Sequence, residues 1–358
     1  MRRLAKGFSL VEVMVAVVIG MIGILIITQA YILSDNFNRA TLGEGGAQMN
    51  GLMALYTVER DVRMAGWGIN NSAALACGNI YWYYDPNYSA NISGGSLPNI
   101  ALAPVVLTFN TATPANPDQI SIMYSSDGDR MLPTSITNFN AKSSEVSVDG
   151  TDGFTQGDLV LMVSSTGCTL GKITQVQSVS QKLQLNPGSS GPQNPPAWGS
   201  FPSTYASGDT ILNLGNPVFR TYLVASGKLR SQDSLLQNGV ATTADLVDSI
   251  IDLRALYGKD TDNDNIVDTW DMTTPTTSAG WLQVLAIRMG VLARSGNYEK
   301  PSTGGGDCDA TTAVPTWLGA GTNPFRAISV AAGSVDRCYR YRVFETTVPL
   351  RNMIWRAS

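Results

Sequence analysis

Residues Asp260–Asp271, which read DTDNDNIVDTWD, place oxygen ligands at regular intervals. Numbered as a calcium-binding loop of about twelve residues, this stretch puts acids at the first, third, fifth, ninth and twelfth places, and a backbone carbonyl at the seventh. These six candidate ligands are Asp260, Asp262, Asp264, Ile266, Asp268 and Asp271. Calcium takes six to eight oxygens from a tightly wound backbone, so the pattern predicts a possible Ca²⁺ site. A solvated acidic turn is the alternative.

The four cysteines are the second set of residues with chemistry. They are even in number, widely spaced and without a CxxC pair, which disfavours a zinc ribbon or a thioredoxin-like site. Two disulfides in an oxidising compartment fit this usage, and four buried thiols are the alternative. Of the three possible pairings we favour the sequence neighbours, Cys77 with Cys168 and Cys308 with Cys338.

Enzyme chemistry finds little support in the composition. Histidine is absent, which excludes imidazole-based hydrolysis and histidine-ligated zinc. The net charge of −4 argues against general affinity for nucleic acid. GxSxG and HExxH motifs are missing too, so we expect no enzyme and no organic cofactor.

An acid also stands inside the most apolar segment. Phe8–Ala30 is apolar apart from Glu12 and a few small polar residues, and Arg2, Arg3 and Lys6 precede it. At ~1.5 Å per residue the segment reaches ~35 Å, enough to cross a bilayer, and the basic residues predict a cytoplasmic N-terminus. A carboxylate within a membrane span costs about 2.5–3.5 kcal/mol, so Glu12 calls for a partner.

The N-terminal sequence KGFSLVEVMVA resembles that of type IV prepilins. The resemblance implies cleavage between Gly7 and Phe8 by a prepilin peptidase, followed by N-methylation of Phe8. It also implies that Glu12 pairs with the N-terminal amine of a neighbouring subunit during assembly. An anchor helix whose acid is neutral or snorkels is the alternative.

The helix that carries Glu12 continues beyond the membrane segment. Leu52, Leu55, Val58, Val62 and Ala65 recur at spacings of three and four, which predicts an amphipathic continuation over residues 31–68. The glycines at 43, 45 and 46 predict a kink or local melting, and we expect the helix to end near residues 66–68.

Three further segments resemble the PilW family of minor pilins. They read VERDVRMAGWGI, WLQVLAIRMGVLARS and YRYRVFETTVPLRNM. The resemblance implies a structural subunit that helps initiate or cap a type IV pilus used in adhesion, twitching motility or DNA uptake. The implied partners are other minor pilins, the major pilin, the prepilin peptidase and a tip adhesin. The implied location is the inner membrane, with a periplasmic C-terminal domain, and then the pilus on the cell surface.

The remaining pattern predicts an α+β fold in which the long helix packs on an antiparallel sheet with long inserted loops. We divide the chain into a leader (1–7), a transmembrane or filament-core helix (8–30), an amphipathic continuation (31–68) and a β-rich domain (69–358). Strands are predicted at 120–124, 159–163, 218–224, 228–230, 282–294 and 339–350, and a helix at 244–256.

Two other functions remain open from sequence alone. A large pseudopilin of a type II secretion system would share the leader and the helix. A calcium-dependent tip adhesin would instead use its loops to bind a surface or DNA.

Overall fold

The computed structural model describes residues 9–69, 75, 77, 80–82, 102–110, 116–125, 133–165, 167–186, 194, 204–233, 242–299, 301 and 306–354. The predicted cleavage residues, Gly7 and Phe8, lie outside this set. The chain forms two compact units, one of residues 1–49, 294–314 and 328–341, and one of residues 50–293, 315–327 and 342–358.

The first element is the α-helix α1, Leu10–Met64, of 55 residues. It runs without a break through Gly43, Gly45 and Gly46, so the local melting that was one of the two predicted outcomes does not occur. Each glycine costs ~1 kcal/mol relative to alanine in a helix, but a helix is held mainly by its packing. At Gly43 the packing is close, because an added Cβ would lie 3.3 Å from the Cβ of Ser295.

The second half of α1 buries one face. Ala54, Val58 and Val62 are fully buried and recur at spacings of four, as expected for an amphipathic helix. Leu52, assigned to this face from the sequence, is instead 51% exposed. The helix ends at Met64, before the predicted boundary, and residues 65–69 form a turn in which Gly66 and Gly68 have φ of +83° and +78°.

The strands within the described residues form three sheets. The largest has eight strands in the order β1-β7-β6-β10-β4-β5-β9-β8. All its pairs are antiparallel except β1 with β7, which is parallel. Its strands are β1 (Ile80–Trp82), β4 (Thr134–Asn140), β5 (Glu145–Val148), β6 (Leu159–Ser164), β7 (Gly167–Lys172), β8 (Gln175–Gln177), β9 (Lys182–Gln184) and β10 (Thr210–Gly215).

The other two sheets complete the fold. The five-stranded sheet has the order β13-β12-β11-β3-β2, and the four-stranded sheet has the order β15-β14-β16-β17. The first contains β2 (Val105–Thr108), β3 (Gln119–Ser125), β11 (Pro217–Ala225), β12 (Lys228–Asp233) and β13 (Thr242–Asp248). The second contains β14 (Ile250–Lys259), β15 (Thr269–Asp271), β16 (Val284–Arg294) and β17 (Tyr341–Pro349). Short helices lie at Ser278–Leu282 and Arg351–Ile354, and a 3₁₀ turn at Val335–Cys338.

This architecture confirms the predicted α+β fold of a long N-terminal helix with antiparallel sheets. Within the second unit, Gly51 of α1 packs against the ring of Phe344 on β17, and an added Cβ would overlap that ring. The absence of a side chain at residue 51 therefore allows the helix to lie directly on the four-stranded sheet.

The predicted helix at 244–256 is wrong. This segment forms β13 and β14, separated by Ser249 with φ of +65°. Every residue of β14 from Ile250 to Gly258 is buried, so the strand is covered on both faces. A strand of this kind has a continuous apolar run, which periodicity alone does not distinguish from a buried helix.

Two disulfides join the favoured cysteine pairs. The Cα atoms of Cys77 and Cys168 are 5.8 Å apart, and those of Cys308 and Cys338 are 4.9 Å apart. Cys168 lies on β7 in an apolar cluster with Leu161 and Leu170, against which Cys77 packs. Each bond lies within one of the two units, where it closes a loop and limits the unfolded chain.

Candidate assembly and metal sites

Glu12 lies in the first turn of α1. Its backbone N–H donates to Ser9 Oγ at 3.2 Å, and the N–H of Ser9 donates to Glu12 Oε2 at 3.1 Å. This reciprocal pair is a capping box, which satisfies two N–H groups at the start of a helix. The Ser-x-x-Glu spacing was visible in the sequence, but we had assigned Glu12 only an intersubunit role. Its carboxylate is exposed, so it also remains accessible to another chain.

The apolar start of α1 has no cover within the described chain. A window of this helix with mean hydropathy 2.9 is long enough to cross a membrane, and none of it is buried. Large side chains such as Leu10, Ile19 and Ile27 are 65–78% exposed. A helix that is apolar all round is stable only when lipid or neighbouring helices surround it. The segment therefore fits an inner-membrane anchor that later enters a pilus.

The acidic loop gathers three of its predicted ligands. Carboxylate oxygens of Asp260, Asp262 and Asp268 lie within 4.8 Å of one another. Asp260 is buried, and its carboxylate accepts N–H groups from Asn263 at 2.6 Å and Asn265 at 2.8 Å. These bonds wind the backbone around Asp260, as a calcium loop requires.

Two asparagines make this winding possible. Asn263 and Asn265 have φ of +66° and +67°, a region that asparagine enters more readily than most residues. Residue 265 is the place where such loops usually carry glycine. The asparagine that stands in place of glycine is therefore accommodated by the backbone.

The other predicted ligands lie elsewhere. Asp271 is bound by Lys259, whose Nζ lies 2.7 and 2.9 Å from its two carboxylate oxygens. Asp264 accepts the N–H of Ile266 at 2.7 Å and is not part of the cluster of three. Three of the six predicted ligands thus form a carboxylate cluster. Asp271 is kept out of the cluster by its ion pair with Lys259.

The surroundings of the loop shift the pKa values of Asp262 and Asp268 in opposite directions. Desolvation, followed by the charges of Asp264, Asp268 and Asp260, raises the pKa of Asp262. Hydrogen bonds from the N–H and hydroxyl of Thr261 lower the pKa of Asp268. A bound cation would relieve the repulsion felt by Asp262.

One buried acid on α1 was missed from the sequence. Asp61 has 2% of its side chain exposed and accepts hydrogen bonds from Arg220 Nη1 at 2.8 Å and Tyr222 Oη at 2.7 Å. Arg220 also pairs with Asp233 at 2.7 Å. Asp61 directly precedes the buried Val62, and the spacing of the apolar residues alone does not predict its burial. This group fixes the helix to the five-stranded sheet.

Comparison with known families identifies the two ends of the chain. Residues 2–28 match the family described as "Prokaryotic N-terminal methylation motif", and residues 221–352 match "Type IV Pilus-assembly protein W". Over residues 221–352 the chain is similar to PilW-type pilus-assembly proteins. The family consists of non-enzymatic structural proteins, which agrees with the expectation of no enzyme.

The PilW match places several of these features in context. It begins in β11 and ends after β17, so it includes the acidic loop and two of the three PilW-like segments quoted from the sequence. The third, VERDVRMAGWGI at residues 58–69, lies outside both matched ranges.

Other comparisons add little. No curated protein matches this chain. A solved structure, the type IV-like pilin TTHA1219 from Thermus thermophilus, is 12% identical and covers 56% of this chain and 85% of its own. Its TM-score of 0.25 is too low to carry a structural argument.

Proposed function

We propose that the protein is a minor pilin that helps to initiate or cap a type IV pilus. The observation that carries this proposal is the uncovered apolar start of α1, which lies within the methylation-motif match in a chain that also carries a PilW-like region. The large β-rich domain supports a position at the tip, because a bulky headgroup fits poorly inside a regular shaft. Other minor pilins, the major pilin and a tip adhesin are the proposed partners.

In this role the prepilin peptidase cuts between Gly7 and Phe8, and Phe8 is methylated. The new ammonium group of one subunit then pairs with Glu12 of its neighbour. The cost of a carboxylate in apolar surroundings favours the assembled state, because only assembly supplies the opposite charge. The leader 1–7, the anchor 8–30 and the periplasmic domain follow from this order of events.

The capping box makes a sharp experiment possible. Glu12→Gln keeps an N3 side chain that can complete the box but removes the charge, whereas Ser9→Ala breaks the box and keeps the charge. We expect Glu12→Gln to be cleaved normally and to form few or no surface pili, and Ser9→Ala to form them. Gly7→Ala should block cleavage.

Immunoblots for processing and electron microscopy for pili measure these outcomes. Normal piliation by Glu12→Gln would overturn the charge-pairing role. A strain that lacks the gene for this protein provides a further test. If it keeps its pili but loses protein secretion, the protein belongs to a secretion apparatus instead.

Within this role we propose that the acidic loop binds one Ca²⁺ through Asp260, Asp262 and Asp268. The clustered oxygens support this proposal, as do the desolvation and the repulsion from neighbouring acids that raise the pKa of Asp262. The ion would stiffen the connection between β14 and β15 on the surface of the PilW region. Calorimetric titration of the full chain in detergent with Ca²⁺ tests it, and Asp262→Asn with Asp268→Asn is the variant expected to give no heat. Absence of heat from the wild type would exclude the site.

A further inference from the structure

The four-stranded sheet ends in an edge strand that differs from the other sheet edges of the described chain. β17 has nine residues, whereas β1, β8 and β15 have three each and β2 has four. β13 has seven residues but carries Asp245 and Asp248 in ion pairs with Lys228. Short length and charge are the usual protections of sheet edges. β17 is long, carries Arg342 and Glu345, and has a proline only at its last residue, Pro349, so the backbone from Val343 to Thr347 stays open to another strand.

The outward backbone groups of β17 follow from its pairing. The N–H of Leu350 donates to the carbonyl of Leu285 at 2.8 Å, and Arg288 Nε reaches Thr347 Oγ1 at 3.4 Å, which fixes an antiparallel register with β16. Bonded and non-bonded pairs alternate in such a ladder. Val343, Glu345 and Thr347 therefore direct their N–H and C=O groups away from β16. Within the described ranges no other backbone group bonds to them.

A groove of about 200 Å³ lies along the same strand. It is lined by Arg288, Leu318, Glu345, Thr346 and Thr347. The carboxylate of Glu345 accepts the N–H of Leu318 at 2.7 Å, which holds one wall of the groove in place. Leu318 itself is 69% exposed. The groove thus offers a place for one side chain from a strand added beside β17.

Arg288 is the cation of this groove. Its guanidinium carbon lies 3.9 Å from the ring centre of Trp270, and no carboxylate among the described residues pairs with it. Trp270 reaches it across Gly258, where an added Cβ would lie 2.7 Å from the indole. The guanidinium is therefore held in a fixed orientation that suits a carboxylate.

We propose that β17 and this groove bind an extended segment of a different protein by strand addition, with an acidic side chain of that segment on Arg288. The backbone ladder would give affinity, and the charge on Arg288 would select the acid. The proposal goes beyond the role of a minor pilin, since it names the surface and the chemistry of a partner.

Antiparallel pairing of β17 with a second copy of this chain is excluded by direction. Along α1, Gly51 contacts Phe344, and the carbonyls of Met64 and Ala65 accept bonds from Asn352. β17 therefore runs in the same direction as α1. Antiparallel pairing of two β17 edges would point two α1 helices in opposite directions, which two subunits anchored in one membrane do not allow. This step alone rests on the proposed anchor.

The test uses the full chain in detergent and synthetic peptides of the length of β17. The peptides alternate valine and threonine, with one aspartate moved through each position of one face. Fluorescence polarisation should show saturable binding for one aspartate position. N-methylation of alternate amides on the edge that faces β17 should abolish binding, and N-methylation on the opposite edge should leave it intact.

Variants of the protein supply the second readout. Arg288→Gln should weaken the aspartate peptide about tenfold and leave its asparagine counterpart unchanged. Hydrogen exchange of Val343, Glu345 and Thr347 should slow when peptide binds, while Phe344 and Thr346 are already protected by β16. Equal binding of both N-methylated peptides, or no saturable binding by any peptide, would overturn the proposal. A dimer broken by Thr347→Pro would overturn the choice of occupant.

Discussion

Each end of α1 carries an acid among apolar residues, and the two acids differ in burial and in their partners. Asp61 is buried and has partners from β11, Arg220 and Tyr222, within its own chain. Glu12 is exposed, and its carboxylate is bonded only to the N–H of Ser9 among the described contacts. The fold thus completes the environment of Asp61, whereas the environment of Glu12 would be completed by the proposed assembly.

This comparison predicts how substitutions along one helix will act on folding. Changes in the second half of α1 should alter the stability of the domain, because its contacts lie within the chain. Changes in the first half should alter assembly and leave stability almost unaffected. The full chain in detergent, unfolded by urea and followed by tryptophan fluorescence, provides one common measure.

The largest effect is expected for Asp61→Ala. The substitution leaves the half-buried Arg220 with only Asp233 as a charge partner and removes the acceptor of the Tyr222 hydroxyl. We expect a loss of about 2–4 kcal/mol in the free energy of unfolding, reduced from the value for a fully buried pair because Arg220 is partly exposed. Arg39→Ala, which breaks an exposed pair with Asp35 on the same helix, is the control and should change stability by less than about 0.5 kcal/mol. Equal effects of the two would contradict the comparison.

The next largest loss of stability is expected for Gly51→Ala. An added Cβ would overlap the ring of Phe344, so the helix or the strand must move. Overpacking of this kind costs about 1–3 kcal/mol, which exceeds the gain in helix propensity of ~1 kcal/mol. The measurement is the same urea midpoint, and an unchanged or raised midpoint would show that α1 does not pack on β17 as closely as described.

Gly45→Ala is the matched control for Gly51→Ala, and we expect it to stabilise the protein instead of destabilising it. Nothing lies within 4 Å of a Cβ built on Gly45, and the residue is exposed within α1. Alanine should therefore stabilise the helix by about 0.5–1 kcal/mol, visible as increased helicity by circular dichroism on heating. A decrease in helicity would indicate that the unbroken helix at residues 43–46 is not the form present in solution.

The elements that depend on local sequence pattern could be predicted. They are the helix over the apolar run, the strands at 120–124 and 159–163, and the hairpin of β11 and β12. The hairpin is set by Ser226 and Gly227, both with positive φ. These features depend on residues close together in the chain, so composition and spacing are sufficient.

The errors came where distant segments decide the structure. The apolar residues of 244–256 suggested a helix, and it is the flanking strands, β15 and β16, that make β14 a strand. The burial of Asp61 was not predicted, because its partners lie on β11. Asp271 looked like a calcium ligand because spacing does not reveal its pairing with Lys259. Each error concerns a contact that sequence spacing does not contain.

A smaller effect is expected for the pH dependence of Ca²⁺ binding by the acidic loop. Asp262 must lose its proton to bind Ca²⁺, and its pKa is raised in the free protein. The Ca²⁺ affinity should therefore begin to fall at a higher pH than for an ordinary aspartate, and recover as the pH rises above the raised pKa. Calorimetric titrations of the wild type across a pH series measure this, and a decline confined to the ordinary aspartate range would contradict the raised pKa.

The smallest effect on stability is expected for Glu12→Ala. The exposed capping box is worth at most about 1 kcal/mol to the end of the helix, and fraying there does not reach the packed second half. The urea midpoint of the domain should therefore stay within about 0.5 kcal/mol of the wild type, while surface pili are lost. This separation is the strongest form of the comparison, since one helix then carries an acid required for the fold and an acid required for assembly. A large loss of domain stability in Glu12→Ala would show instead that the first half of α1 is part of the folded core.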